Sequence, residues 1–431
     1  MKRTPLTLAA LLLVNPAACQ RADTESSSLV AEITRAMAAD DLERVRAVVT
    51  RVRSRLGDKA GVPEVADEFR AVPRDARMLT PEEALPGFTA QFGQLERMRW
   101  WIIGLDPSAL KAPLRGVASV ISGQAAAARA GLQGAERGIA MAKDAADFLI
   151  WAQEQAGAGC FPFPAARGTS AARAMEVASR FLAQAEKAGR LGEITRNGWV
   201  FEDLGDGGLQ FDNGECGVAM FELHAITGEQ RYLDSARRSA DWALTRSLCA
   251  NWNYNSFSVR LLARAFRVTG DARYLEAAVR KARIGVVPGQ LEEGPRSGRW
   301  VDPHNARPAY HYIMMGALAE LAAAMPASHE HRPEILRALS LGLKARNSEM
   351  VARGVMNKES ALDALLLVVS VFAEDPAFRR ETNSEQALRA LMLLVSAETR
   401  SGKQPLAPGS WGKFLAHVRA AGECSDEGQM E

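Results

Sequence analysis

The chain is predicted to be all-α, built from helical pairs arranged in two layers, and three observations predict it. A block recurs: Thr227-Gly228 with Arg231-Tyr232-Leu233 returns 42 residues on as Thr269-Gly270 with Arg273-Tyr274-Leu275, and Ala236, Arg238 and Ala240 return as Ala278, Arg280 and Ala282. Self-similarity at a period of about 20–50 residues marks an array of one supersecondary unit. Within the unit the two helices differ. Gly217 to Ile226 is apolar nearly all round, as a helix buried on most sides requires, whereas Arg231 to Arg246 carries Tyr232, Leu233, Ala236 and Ala240 on one face and Arg237, Arg238 and Asp241 on the other. Finally, roughly 300 residues of this character hold about six or seven pairs, a number that suits a closed ring with an inner and an outer layer.

The totals permit this. A chain of 431 residues buries a large core. With 53 Lys and Arg against 51 Asp and Glu, the net charge of +2 gives no reason to expect a nucleic-acid partner or a polybasic membrane surface. An acidic ligand must therefore be met by a local cluster.

In chain order, residues 1–19 read as an export signal: Lys2 and Arg3, then the apolar run Leu6 to Val14, then Pro16-Ala17-Ala18-Cys19. The run is too short to span a bilayer. Ala17-Ala18-Cys19 resembles the end of a bacterial lipobox, with Pro16 departing from it, so a periplasmic protein or one tethered to the envelope membrane through a lipidated Cys19 is expected. Cys160, Cys216, Cys249 and Cys424 remain, an even number that can pair or stay reduced and buried.

Residues 20–90 form a helical and irregular N-terminal appendage, broken by Gly57 to Pro63 and by Pro73, Pro81 and Pro86. The ring occupies residues 91–400. It opens with helical stretches from Phe92, and Ala125 to Gln155 has three- and four-residue apolar steps. Trp199 to Glu202 and Leu209 to Asp212 flank a Gly-rich turn and read as a small β-hairpin insertion. After the strict repeat come looser units, Pro308 to Met325 with Arg332 to Met350, and Lys358 to Ala373 with Ser384 to Ala397. The tail, 401–431, contains Gly and Pro and is expected to pack loosely.

Asp212-Asn213-Gly214 opening an inner helix, the Thr-Gly-(Glu/Asp)-x-Arg-Tyr-Leu turns and Trp252-Asn253-Tyr254-Asn255 opening the next inner helix resemble the (α/α) toroids of carbohydrate-active enzymes. These include uronic-acid lyases, unsaturated glucuronyl hydrolases and glucuronyl epimerases. The resemblance covers residues 130 to 400 and implies a toroid of about six helical hairpins. It carries no one family's catalytic set onto this chain.

In such a ring the inner helices run parallel, so their N-terminal approaches gather at one end. Three of these are rich in polar and aromatic groups: Phe211 to Glu215, Asn251 to Asn255 and Trp300 to Arg307. Helix N-termini also favour anionic groups. Asp212 is a candidate acid/base beside Glu215, or a helix cap with Glu three residues on. Trp252, Asn253, Tyr254 and Asn255 offer a stacking surface and amide donors for a sugar, or pack and cap the helix. Arg307 could grip a carboxylate, His304 or His311 could move a proton, Tyr310 could assist, and Glu202 could fold over the same end. Asp302 could pair with Asp212 as the second carboxylate of a glycosidase. A metal site from Asp302, His304 and His311 has no recognised ligand spacing, and no cofactor motif is present.

The expectation is an exported enzyme that cleaves or modifies an oligo- or polysaccharide with acidic sugars. In a lyase, His or Tyr would take a proton while Arg307 neutralises charge; in a hydrolase, Asp212 and Asp302 would divide the acid and base roles. The alternative is a non-catalytic glycan-binding or scaffold protein of the envelope.

Overall fold

The repeated turns show why the repeat is so strict. Thr227 Oγ1 donates to the Leu223 carbonyl at 2.9 Å and accepts from the Glu229 amide at 3.3 Å. Thr269 Oγ1 donates to Ala265 at 2.8 Å and accepts from Asp271 at 3.2 Å. Between each threonine and acid sits a glycine, Gly228 at φ 69° and Gly270 at φ 73°, in the left-handed region that costs an L side chain about 1–2 kcal/mol. A Cβ on Gly270 would meet nothing within 4 Å. Gly270→Ala should therefore cost only that conformational term, about 1 kcal/mol, read as a lowered urea midpoint.

The computed structural model describes residues 29–56, 69–98, 114–156, 159–161, 207–301, 305–403 and 406–427, apart from Val30, Gln133 and Asn357. In chain order its helices are α1 (Leu42–Leu56), α2 (Pro81–Met98), α3 (Leu114–Arg129), α4 (Ala135–Ala156), α5 (Gly207–Thr227), α6 (Gln230–Leu244) and α7 (Trp252–Thr269). There follow α8 (Ala272–Gly285), α9 (Pro308–Ala324), α10 (Arg332–Arg353), α11 (Lys358–Val371), α12 (Pro376–Glu381), α13 (Ser384–Arg400) and α14 (Pro408–Glu427). Residues 31–38 are also helical.

The inner layer closes on itself. Helix α3 packs on α5, α5 on α7, α7 on α9, α9 on α11, α11 on α14, and α14 returns to α3. Each inner helix has an outer companion: α4 on α3, α6 on α5, α8 on α7, α10 on α9, α13 on α11, and α2 on α14. The fold is an (α/α) toroid, with six helical pairs among the described residues. The sequence pattern explains the layering, since α9 buries every residue from Met314 to Ala322 and so is covered all round, while α8 buries Tyr274, Ala278 and Ala282 along one stripe. Among the described residues no helix is long and apolar enough to cross a membrane.

Two expectations are corrected here. Leu209 to Asp212, expected as a hairpin strand, is the first part of α5; the described residues hold no strand, only the isolated bridges Arg70↔Val355 and Gln290↔Trp300. The first hairpin strand, 199–202, lies outside the described residues. The tail is not loose. Most of it is α14, an inner helix that buries Trp411, Phe414, Leu415 and Val418. Its Pro408 suits the first helical position, and its glycines, which resemble a flexible linker in composition, lie against α3. The Gly409 amide donates to Ser119 Oγ at 2.9 Å, and a Cβ on Gly412 would run into the Gly123 backbone. Backbone cannot rotate aside, so Gly412→Ala should cost about 1–3 kcal/mol. Gly316→Ala, whose Cβ would meet Ala364 at 3.8 Å, should cost nothing comparable in the same melt.

The sixth pair thus joins α2 from the start of the chain to α14 from its end, and the ring helices extend beyond 91–400 on both sides. The N-terminal appendage is also tied down. Ile33, Met37, Val45 and Val48 are buried in the main core, and Arg280–Asp40, Arg53–Glu293 at 3.2 Å and Arg46–Glu334 at 3.7 Å connect it to the rest of the chain. Such exposed pairs contribute little; the buried apolar side chains hold the contact.

Candidate active site at the N-terminal mouth of the ring

A cavity of about 490 Å³ opens where the N-terminal parts of all six inner helices converge. Arg115 and Ser119 come from α3, Phe211 and Glu215 from α5, Ser256 and Arg260 from α7, Tyr312 and Gly316 from α9, Glu359 and Asp363 from α11, and Ser410 and Lys413 from α14. Of the three polar approaches expected here, the first contributes Phe211 and Glu215 to the lining, and neither 251–255 nor 300–307 contributes a described residue. The size is within the range of small-molecule sites.

The wall combines aromatic faces with paired charges. Phe211 and Phe257 stack with centroids 3.9 Å apart, and the Arg115 guanidinium lies 4.1 Å above Phe211. Gly214 permits this packing, because a Cβ there would come within 2.8 Å of Phe257. Arg260 approaches Glu215 at 3.8 Å and Lys413 approaches Asp363 at 3.2 Å. Since α5 and α11 are three places apart in a six-membered ring, Glu215 and Asp363 come from opposite sides of the lumen.

Asp212 lies in the second turn of α5, so it does not cap the helix as one reading supposed. Its carboxylate is buried, with Arg115 at 3.8 Å and Oδ1 without a hydrogen bond. Burial pushes its pKa up to about 6, Arg115 opposes this, and Glu215 adds to it. Asp212 does not itself line the cavity; its neighbours Phe211, Glu215 and Arg115 do.

Below the mouth the lumen is charged, which the sequence reasoning missed. Glu222 on α5 faces Arg264 on α7 at 4.0 Å; burial raises its pKa, but Lys413, Arg264 and Arg260 more than offset this and hold it low. Glu320 on α9 has a fully buried side chain and receives Arg264 Nε, Arg264 Nη2 and Arg267 Nη1, each at 2.8 Å. Burial alone would raise its pKa, yet the arginines, Arg264 foremost, bring it down to about 2. The available signal was Glu222 in the apolar second half of α5 and Glu320 as the single carboxylate of α9, with Arg260, Arg264 and Arg267 at helical spacing on α7.

Several predicted site residues do not reach this mouth. Trp252 is buried against Gly289, where a Cβ would come within 2.5 Å of the indole. Asn253 is fully buried; its amide group donates to Asn305 Oδ1 at 3.0 Å and to Asn251 Oδ1 at 2.7 Å. Asn255 stitches backbone together, donating to the Cys249 and Gly285 carbonyls at 2.8 and 2.7 Å and accepting from the Cys249 amide at 3.0 Å. Asn213, 42 residues earlier, does the same between the Phe161 amide and the Ser239 carbonyl at 3.2 and 3.0 Å. The repeat therefore extends to these asparagines, and their role is structural.

His311 is fully buried and donates from Nε2 to the Gly342 carbonyl at 2.9 Å. Burial, with Arg346 nearby, drives its pKa well below the usual imidazole value, so it stays neutral and does not move protons at the mouth. Tyr254, Arg307 and Tyr310 are half-buried and do not line the cavity. Glu202, Asp302 and His304 lie outside the described residues, as do Cys19 and the export signal. Cys160, Cys216 and Cys249 are buried free thiols, and among the described residues no cluster of His, Cys, Asp and Glu could hold a metal ion.

No family model matches the chain, and no curated protein sequence does. Among solved structures, a glycosyl hydrolase family 88 protein from Bacteroides vulgatus is 11% identical, with 79% of this chain and 99% of that one covered at a TM-score of 0.49. A polysaccharide lyase is 9% identical, with 53% and 77% covered at a TM-score of 0.38. At these similarities neither bears on the chemistry of the site.

Proposed function

We propose that this chain is an exported carbohydrate-active enzyme that hydrolyses a glycosidic bond in an oligo- or polysaccharide carrying acidic sugars. The observation that carries this reading is the placing of carboxylates on opposite helices, α5 and α11, around one sugar-sized cavity whose wall also holds guanidinium groups and a phenylalanine stack. Glu215, which lines the cavity beside Arg260, donates the proton, with Asp212 buried one turn away against Arg115, and Asp363, steadied by Lys413, is the carboxylate that activates water or attacks the sugar. Arg115 and Arg260 attract the acidic sugar. Hydrolysis is supported over elimination because His311, one candidate base for elimination, is fully buried, does not line the cavity and is turned toward the Gly342 carbonyl.

Export rests on the reading of residues 1–19, with Cys19 as the proposed lipid-bearing residue; the mass of the mature N-terminus tests it. The chemistry is tested by incubation with uronic-acid oligosaccharides. Reducing ends should appear without a rise in unsaturated-uronate absorbance, and Asp363→Asn should stop their appearance with the melting temperature held. A rise in that absorbance would replace hydrolysis with elimination. Absence of turnover on all acidic glycans, with binding retained, would favour a glycan-binding scaffold instead.

A further inference from the structure

The opposite end of the lumen holds a second cavity, of about 880 Å³, lined by the C-terminal ends of α7, α9 and α11 together with Arg129 at the end of α3 and Arg332 at the start of α10. Leu367 is the one lining residue common to both cavities. The charged groups facing it are Arg129, Arg264, Arg267, Arg332, Glu374 and Asp375. Arg264 and Arg267 are engaged by Glu320, and Asp375 accepts the Phe378 amide at 2.9 Å.

Arg332 has no such employment. Its Nε is sealed from solvent without an acceptor, and among the described residues it has no ion-pair partner; nearby Glu334 is held by Arg283 at 2.7 Å. Helix electrostatics do not account for it either. Arg129 stands in the last turn of α3, where a cation is favoured, but Arg332 is the first residue of α10, where the helix end is itself positive. A cation with an orphaned buried donor, placed against the helix dipole and facing a cavity, is a group awaiting an anion.

We infer that the C-terminal mouth is a second binding site, for an oxyanion carried on a polar, sugar-sized body and gripped by Arg332 with Arg129. It does not depend on the hydrolytic reading of the other mouth. Two sources share this chemistry, a uronate carboxylate and a sugar phosphate ester, and titration of the full chain with glucuronate and with glucose 6-phosphate separates them.

Calorimetric titration should show saturable binding of at least one of these at one site per chain, in addition to any binding at the N-terminal mouth. Arg332→Gln and Arg129→Gln should each weaken that binding about tenfold, as loss of a charge-assisted contact does. Arg332→Lys, which keeps the charge but loses the fork, should fall between. Arg115→Gln, at the other mouth, should leave it unchanged. No saturable binding of either compound, binding indifferent to Arg332 and Arg129, or binding removed by Arg115→Gln would each overturn the inference. Inorganic phosphate binding as tightly as glucose 6-phosphate would overturn the sugar-sized part of it.

Discussion

Glu320→Ala should destabilise the folded chain by about 3–5 kcal/mol, read as a large fall in the urea midpoint with little change in slope. The carboxylate is fully buried and satisfies two arginines from α7. Removing it strands the Arg264 guanidinium, whose side chain is only 19% exposed, without its principal counter-charge. The same geometry gives a pH signature. The folded pKa is depressed to about 2 from the model-compound value of 4.5, so the stabilisation is fully present above about pH 4.5 and is lost as the pH falls toward 2. The gap in stability between the native chain and Glu320→Gln should close over that window. Pairing Glu320→Met with Arg264→Leu should recover part of the loss, because it removes the stranded guanidinium while leaving Glu222 to Lys413 and Arg260 and Arg267 to solvent. A cost below about 1 kcal/mol for Glu320→Ala would show that Glu222 and water replace the lost carboxylate.

Asp212→Asn, which changes the partner of Arg115 and not a group that lines the cavity, should lower the rate of hydrolysis by no more than about tenfold, while raising stability at pH 8. Its carboxyl pKa is lifted from 3.8 to about 6. Folding therefore favours the protonated form: that stabilisation is complete below about pH 3.8 and is lost as the pH rises through 6, leaving a buried anion that costs about 3 kcal/mol. An asparagine of the same shape avoids that cost. Melting curves should place the variant a few degrees above the native chain at pH 8 and level with it at pH 4. A variant that melts lower at pH 8 would mean that Asp212 is an ionised partner of Arg115, and its reading as a buried neutral carboxyl would fail.

The repeated turns were legible from sequence because their chemistry is local: a threonine closing one helix, a glycine at positive φ and an acidic residue that begins the next helix lie within three positions. The shared mouth was legible for a topological reason, since parallel inner helices bring their first turns together whatever those turns contain. The individual site residues were less so. Polar and aromatic groups before a helix are what both a sugar site and a well-tied loop require, and Asn253 and Asn255 turned out to tie loops. The cations and carboxylates of the mouth, Arg115, Arg260, Glu215, Asp363 and Lys413, come from five helices and have no spacing to betray them. Glu222 and Glu320 read as isolated charges on apolar helices until α7 supplies their arginines. In the tail, Gly409 and Gly412 carry the composition of a linker, and only the proximity of Ser119 and Gly123 gives them their meaning.

The pairing of α2 with α14 has a consequence for how the protein is made. Ser119 and Gly409 are 290 positions apart, Gln91 and Leu406 are 315 apart, and Arg77 and Arg400 are 323 apart. The ring cannot complete until nearly the whole chain is available, however early the Thr-Gly pairs form. Closing so long a segment carries an entropic penalty that only the last inner helix repays. During synthesis, α3 and α11 must therefore present apolar edges that no later helix has yet covered, an interval in which a holding chaperone or another copy of the chain would find them.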